Sequence, residues 1–273
     1  KKEALEKEIE KNIKNIGYWF RPRVILELAI IKSEIHRVAD FDIRDFMFVA
    51  MSESIRLVSN RRNGEFKMFR MPAPKVLTFK PDAYTEFSSI LLRNVEKMKD
   101  FCDALDQNAV VPKTTIYSNN TCTLEDVPDN SFDLVITSPP YGDSRTTVAY
   151  GEYSRLSLQW INLHNLSEKE IMGLDKTLMG GNKYRNGFEF SLQSETLRAS
   201  LSKIKAGDVY SFYKDLDASI KSVAVKTKSG GYQFWVVGNR TVKNELLETD
   251  VIITELASQY GLVPIYIINR NIP

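Results

Sequence analysis

The sequence has little cysteine. Cys102 and Cys122 are its only two in 273 residues. That is too few for a disulfide framework or a cysteine zinc site, and it fits a reducing cytoplasm. Histidine is equally sparse: His36 and His164 stand alone and read as surface or internally satisfied groups, and no metal-ligand spacing is present. No apolar run approaches the ~18–20 residues that span a bilayer. The opening KKEALEKEIEKNIKNIGYWF is too charged for a secretory signal. A dominant charge is missing as well, since a formal net charge of +2 neither demands nor excludes nucleic acid. There is no internal repeat and no low-complexity tract. What remains, 43% hydrophobic and 26% charged, is the composition of a soluble globular chain long enough for one large domain or two small ones.

The first part reads as helical. In VILELAIIKSEIHR (24–37), Ile25, Leu28 and Ile35 fall near one face, and IRDFMFVAMSESIRL is a second helix candidate. VSNRRNGEFKMFRMPAPK breaks the pattern with Asn-Gly and two prolines, as a loop or short ribbon does. A long helix follows Pro81-Asp82, with Phe87, Leu91, Val95, Met98, Cys102 and Leu105 at steps of three and four, which places Cys102 in a core. From Thr114 the character changes. TTIY (114–117), FDLVIT (132–137), QFWVV (233–237) and VPIYII (263–268) read as strands buried on both faces of a parallel sheet. Helices lie between the later ones: VYSFYKDLDASIKSVAV, capped by Asp208, and TDVIITELASQY, closed by Gly261. The alternation predicts an α/β fold, with a mainly helical region over 1–112 and an α/β half over 113–273.

One stretch needs a chemical explanation. FDLVIT leaves its strand through Ser138-Pro139-Pro140-Tyr141. Ligands of open α/β sheets sit beyond the carboxyl ends of strands. Two prolines stiffen that exit and remove two N–H donors while leaving carbonyl acceptors. Rigid acceptors beside an aromatic face suit a planar ring that carries an amino group.

DNSFDLVITSPPYGDS resembles the catalytic motif of amino-directed DNA methyltransferases, and its Ser-Pro-Pro-Tyr form is similar to that of enzymes acting on the 4-amino nitrogen of cytosine. QFWVVGNRTV and GLVPIYIINRNIP resemble the family's later strands. The helical part from IGYWF to FRM is similar to a region that helps hold DNA. The resemblance implies a partial Rossmann-like sheet and a restriction-modification enzyme that uses S-adenosylmethionine, with Ser138, Pro139, Pro140 and Tyr141 as catalytic residues. Alternatives are adenine 6-amino methylation, a non-catalytic DNA-binding subunit of a modification complex, and an RNA or protein amine methyltransferase. Carbon-5 cytosine chemistry is disfavoured, because neither cysteine follows a proline.

The family's glycine-rich cofactor loop is not in the sequence. Gly180-Gly181 and Gly230-Gly231 do not follow a strand ending in an acidic residue. Three explanations stand: a cofactor half N-terminal to this chain, a separate subunit, or a degenerate inactive partner. Lacking that half, the sheet would expose an apolar edge, so a tight partner or a homo-oligomer is expected. Asp133 either holds a neighbouring loop or touches the cofactor; Asp143 either faces DNA or caps the next helix. Arg61, Arg62, Lys67 and Arg70 in NRRNGEFKMFR, with Lys183 and Arg185 in GGNKYRNG, are the expected phosphate contacts to double-stranded DNA. The recognition element is placed either in NRRNGEFKMFR or in 165–205.

Overall fold

A computed structural model describes residues 13–106, 113–143, 147, 149–163, 165–182, 194–204 and 207–270. The chain divides into two units, Lys1–Thr114 with Ala149–Leu174, and Thr115–Val148 with Asp175–Pro273.

The first unit is helical: α1 (Ile16–Trp19), α2 (Pro22–His36), α3 (Phe41–Val58), α4 (Ala73–Thr78), α5 (Ala83–Asp106) and, after a long excursion of the chain, α6 (Tyr150–Ile161). Pro22 opens α2, where its missing N–H costs nothing. Asp40 caps α3 by accepting from the Ile43 N–H at 3.0 Å. The predicted face of α2 is the buried one, and Ile25, Leu28 and Ile35 share a core with Met51, Ile55 and Val58 of α3. The boundary expected near residue 112 misses α6, which returns to this unit because Leu156 and Trp160 are buried in the same core. The Phe20 and Trp160 rings meet edge to face at 5.7 Å. Glu27 is buried but satisfied: it accepts from the Ala83 N–H at 2.9 Å and from Arg23 Nε at 2.5 Å. It thereby joins α2 to the first turn of α5.

The expectation for the far half of α5 fails. Val95 and Met98 are about half exposed and Cys102 is exposed rather than in a core. The helix has the predicted apolar stripe, but its stretch through Val95, Met98 and Cys102 is left uncovered.

The second unit carries β1 (Phe132–Thr137), α8 (Glu195–Ile204), α9 (Gly207–Lys226), β2 (Thr227–Trp235), the short antiparallel pair β3 (Arg240–Val242) and β4 (Glu245–Leu247), and α10 (Thr249–Ser258); α7 (Glu168–Thr177) straddles the division. β1 and β2 pair in parallel, with Leu134 opposite Tyr232 and Thr137 opposite Trp235. Asp208 sits inside the first turn of α9 instead of capping it. Val209, Phe212, Leu216 and Ile220 of α9 pack with Leu197 and Leu201 of α8 and Ile252 and Leu256 of α10, and Trp235 and Val237 join them. Gly261 closes the turn after α10 at φ 79°, in the left-handed region, and the next N–H reaches back to the Ala257 carbonyl at 3.3 Å.

The sheet is smaller than expected. Among the described residues, 114–117 and 263–268 are in no ladder, and Ile116 and Tyr266 are largely exposed. β1 is not buried on both faces either: Leu134 and Ile136, with Tyr232 and Phe234 opposite them, stand on an uncovered face. Among the described residues the fold is thus mixed α/β with one two-stranded parallel sheet, not an extended parallel sheet.

Two outcomes test this packing. Glu27→Ala leaves the buried Ala83 N–H without its acceptor, while Arg23 keeps Asp82 at 2.6 Å, and is expected to cost about 1–3 kcal/mol in urea unfolding. Tyr260 donates to Asp217 Oδ1 at 2.9 Å, and burial followed by that hydrogen bond pushes its phenol up to about 12. Its contribution is whole below its ordinary value of 10.0 and is lost as the pH rises toward 12. Tyr260→Phe is expected to flatten the fall in unfolding free energy between those two pH values; parallel curves for parent and variant would refute the assignment.

Candidate active site

The site forms where the β1–β2 ladder stops. The last rung is the Val236 N–H donating to the Thr137 carbonyl at 2.9 Å. Pro139 and Pro140 have no N–H, so the ladder cannot continue along this strand. Ser138 is exposed, and among the described residues no hydrogen bond engages its hydroxyl or the carbonyls of Ser138, Pro139 and Pro140. Three carbonyls and one hydroxyl thus stand open at the carboxyl end of a strand.

Tyr141 follows, 40% exposed. Its ring lies against the backbone of Gly238, where a Cβ would stand 3.1 Å from Cδ2 and 3.3 Å from Cγ. A side chain at 238 would push the ring away. Gly142 is under the same kind of constraint, since a Cβ there would fall 1.7 Å from Arg240 Nη1. Arg240 reaches across Gly142 to Asp143, Nη1 to Oδ2 3.6 Å, and the Asp143 side chain is almost wholly buried. The Asp143 carbonyl accepts from the Thr147 N–H at 3.2 Å and from its hydroxyl at 2.7 Å. Asn239 Oδ1 accepts from the Asp250 N–H at 3.3 Å, which ties the Gly-Asn-Arg turn to the start of α10.

Ser138, Pro139, Pro140 and Tyr141 therefore stand together at a strand end. Asp133, second in β1, stands at its other end, exposed, with both carboxylate oxygens within 2.9 Å of Lys228 Nζ. Neither glycine pair forms a cradle. Gly230-Gly231 makes the irregularity in β2 where the register shifts, packed against the Asp133 carbonyl, and Gly180 packs against Asp143 and Phe212.

The basic residues separate. Arg61 is 1% exposed and donates to the Tyr153 carbonyl at 3.0 Å and the Glu65 carbonyl at 2.7 Å, with its guanidinium over the Tyr153 ring. Burial, with Arg56 nearby, pulls its pKa below the ordinary value. This corrects the reading of Arg61 as a phosphate contact: the side chain is structural because two backbone acceptors and a ring enclose it. Arg62 is exposed and paired with Glu65 at 3.2 Å. Lys67 is half-buried. Arg70 lies over the Tyr18 ring and donates to the Tyr18 carbonyl at 2.9 Å. The bridge between residues 61 and 70 makes their segment a short ribbon. Lys183, Arg185 and His164 lie outside the described residues. Among the described residues no cluster of His, Cys, Asp or Glu could hold a metal ion, and no helix is long and apolar enough to cross a membrane.

Sequence reasoning left the role of Asp143 open and missed Arg240, Gly142 and Gly238. The available signal was the glycine on each strand exit, since a glycine beside a site marks a close approach of backbone.

Comparison with known proteins gives one clear relative. The chain is similar to a Type II methyltransferase. It is 41% identical over 271 residues to the Type II methyltransferase M.MvaI of Kocuria varians, an alignment that takes in 94% of this chain. The likeness therefore runs through both units. The chain spans about 60% of that relative's length. No family model and no solved structure matches the chain.

Removing the Arg61 guanidinium strands two part-buried carbonyls. Arg61→Ala is expected to lower unfolding free energy by about 2–4 kcal/mol, against changes within about 0.5 kcal/mol for Arg62→Ala. Equal, small effects in urea titrations of the two variants would return Arg61 to the surface set.

Proposed function

We propose that this chain carries the amine-binding, catalytic part of a restriction-modification DNA methyltransferase that transfers a methyl group to an exocyclic amino nitrogen, with the 4-amino nitrogen of cytosine as its target. The observation that supports this most is the open acceptor set of Ser138, Pro139 and Pro140 beside the steadied ring of Tyr141. The likeness to a Type II methyltransferase supports it independently.

The chemistry asked of these residues is limited and specific. An amino group on a nucleobase is a weak nucleophile, because its lone pair is shared with the ring. Acceptors that take both amino hydrogens favour a pyramidal nitrogen and return the lone pair to it. Fixed acceptors do this without reorganising, and rigidity is what two consecutive prolines supply. Tyr141 offers the base a face to stack on, worth about 1–3 kcal/mol. The base must first leave the duplex, at a cost of a few kcal/mol.

S-adenosylmethionine is the methyl donor in this reading. The two glycine pairs of this chain do not fit it, so its glycine-rich loop is assigned to another segment or a partner subunit. The bare face of Leu134, Ile136, Tyr232 and Phe234 is the kind of apolar patch such a segment would cover. The exposed Arg62, the half-buried Lys67 and Arg70, and the segment with Lys183 and Arg185 are the proposed phosphate contacts. Each such contact adds roughly one unit to the salt dependence of DNA affinity.

The decisive experiment is methylation of DNA by the full-length protein, followed by digestion and nucleoside mass analysis. 4-Methylcytosine is expected; 6-methyladenine would move the target, and no methylated base would refute the reading. Ser138→Ala is expected to lower turnover on the order of 10²-fold without moving the melting temperature, because the side chain is exposed.

A further inference from the structure

We infer that Asp143 and Arg240 are positioning residues, a buried ion pair that fixes the Tyr141 ring relative to the Ser138–Pro140 acceptors; this rests on the amino-methyltransferase reading above. The two strand exits leave the sheet unpaired after the Thr137–Val236 rung. Beyond it Ser138 carries the last N–H of the proline-bearing exit before Tyr141. The exits are nevertheless held together, through side chains. Arg240 begins β3, so its backbone is fixed by the β3–β4 pair, and Asn239 just before it is tied to α10. From that anchored position the guanidinium crosses Gly142 and ends 3.6 Å from the Asp143 carboxylate. Asp143 is itself backed by Gly180, where a Cβ would stand 2.8 Å from the Asp143 Cβ.

Tyr141 lies between the prolines and this clamp in sequence, and between Gly238 and solvent in space. Its backbone is thus held on both sides: by the proline geometry before it and by the charge pair after it. At 3.6 Å the pair is an electrostatic contact and not a hydrogen bond, so it holds distance more than direction. Gly142 and Gly238 are the two vacancies that make the arrangement possible, one for the guanidinium and one for the ring.

The test uses two substitutions that act differently on the clamp. Asp143→Asn removes the charge and keeps the shape. Gly142→Ala keeps both charges and puts a methyl group where Arg240 Nη1 lies, which the flexible end of the arginine can avoid only by moving. If Asp143→Asn fails to fold, Gly142→Ala still tests the idea. With 3-fluorotyrosine placed at position 141 alone, fluorine NMR reads the ring, and steady-state methylation reads kcat and KM. The expected result is a shifted or broadened fluorine line, with kcat down by about 10–100-fold and KM for the methyl donor unchanged. An unchanged line in the folded variants overturns the inference, as does a shifted line with parental kcat. A shifted line in a protein whose parent methylates no DNA would leave the clamp standing and defeat the methyltransferase reading instead.

Discussion

Everything at the site depends on where one parallel ladder stops. β1 and β2 stay in register from Leu134–Tyr232 to Thr137–Trp235, with one more rung to Val236. A ladder running further would use the carbonyls of the next residues as rungs. Two prolines interrupt it, because neither has the N–H that a continuing ladder needs as donor, although each keeps its carbonyl. The carbonyls freed in this way lie beside a strand that is still firmly paired, so they inherit its rigidity without being consumed by it. The same two residues thus end the sheet and create the acceptor set.

The helices were legible because their signal is local. Apolar residues at steps of three and four mark a face, and Leu28 of α2 and Leu216 of α9 lie fully buried on theirs. α5 shows the limit of that signal. The stripe through Val95, Met98 and Cys102 is as regular as any other, yet these residues are exposed. Periodicity reports that a helix has an apolar face; it does not report what covers it. Strands depend on partners even more. FDLVIT and most of QFWVV became β1 and β2, while the equally apolar 114–117 and 263–268 have no partner among the described residues. A pleated ladder is a property of two segments, and no composition of one segment contains the other.

The site divides along the same line. Ser138 to Tyr141 could be found from four adjacent residues, because the chemistry of prolines, a hydroxyl and a ring is contained in them. Arg240 could not, since its meaning lies in reaching a residue far back in the chain. Arg61 misled for the opposite reason. It sits in a basic run, and charge counted along a sequence carries no information about burial. Tyr153, which encloses it, comes from α6, the helix that the sequence reading assigned to the other unit.

The buried charges also protect the open acceptors. A guanidinium carries five donors and binds carbonyls readily. Arg240 lies within a few residues of the site in space, close enough for its Nη1 to overhang Gly142. Left unpaired, its donors would be free to take a lone pair on a neighbouring carbonyl, and each one placed there would leave one fewer for an amine. Pairing with a buried carboxylate turns those donors inward. Removing both charges could keep the fold, since a buried pair often adds little to stability over a well-packed apolar replacement. It would not by itself keep the spacing between the two strand exits. The pair is better explained by the geometry it imposes, a ring held over Gly238 and acceptors left vacant, than by the stability it contributes.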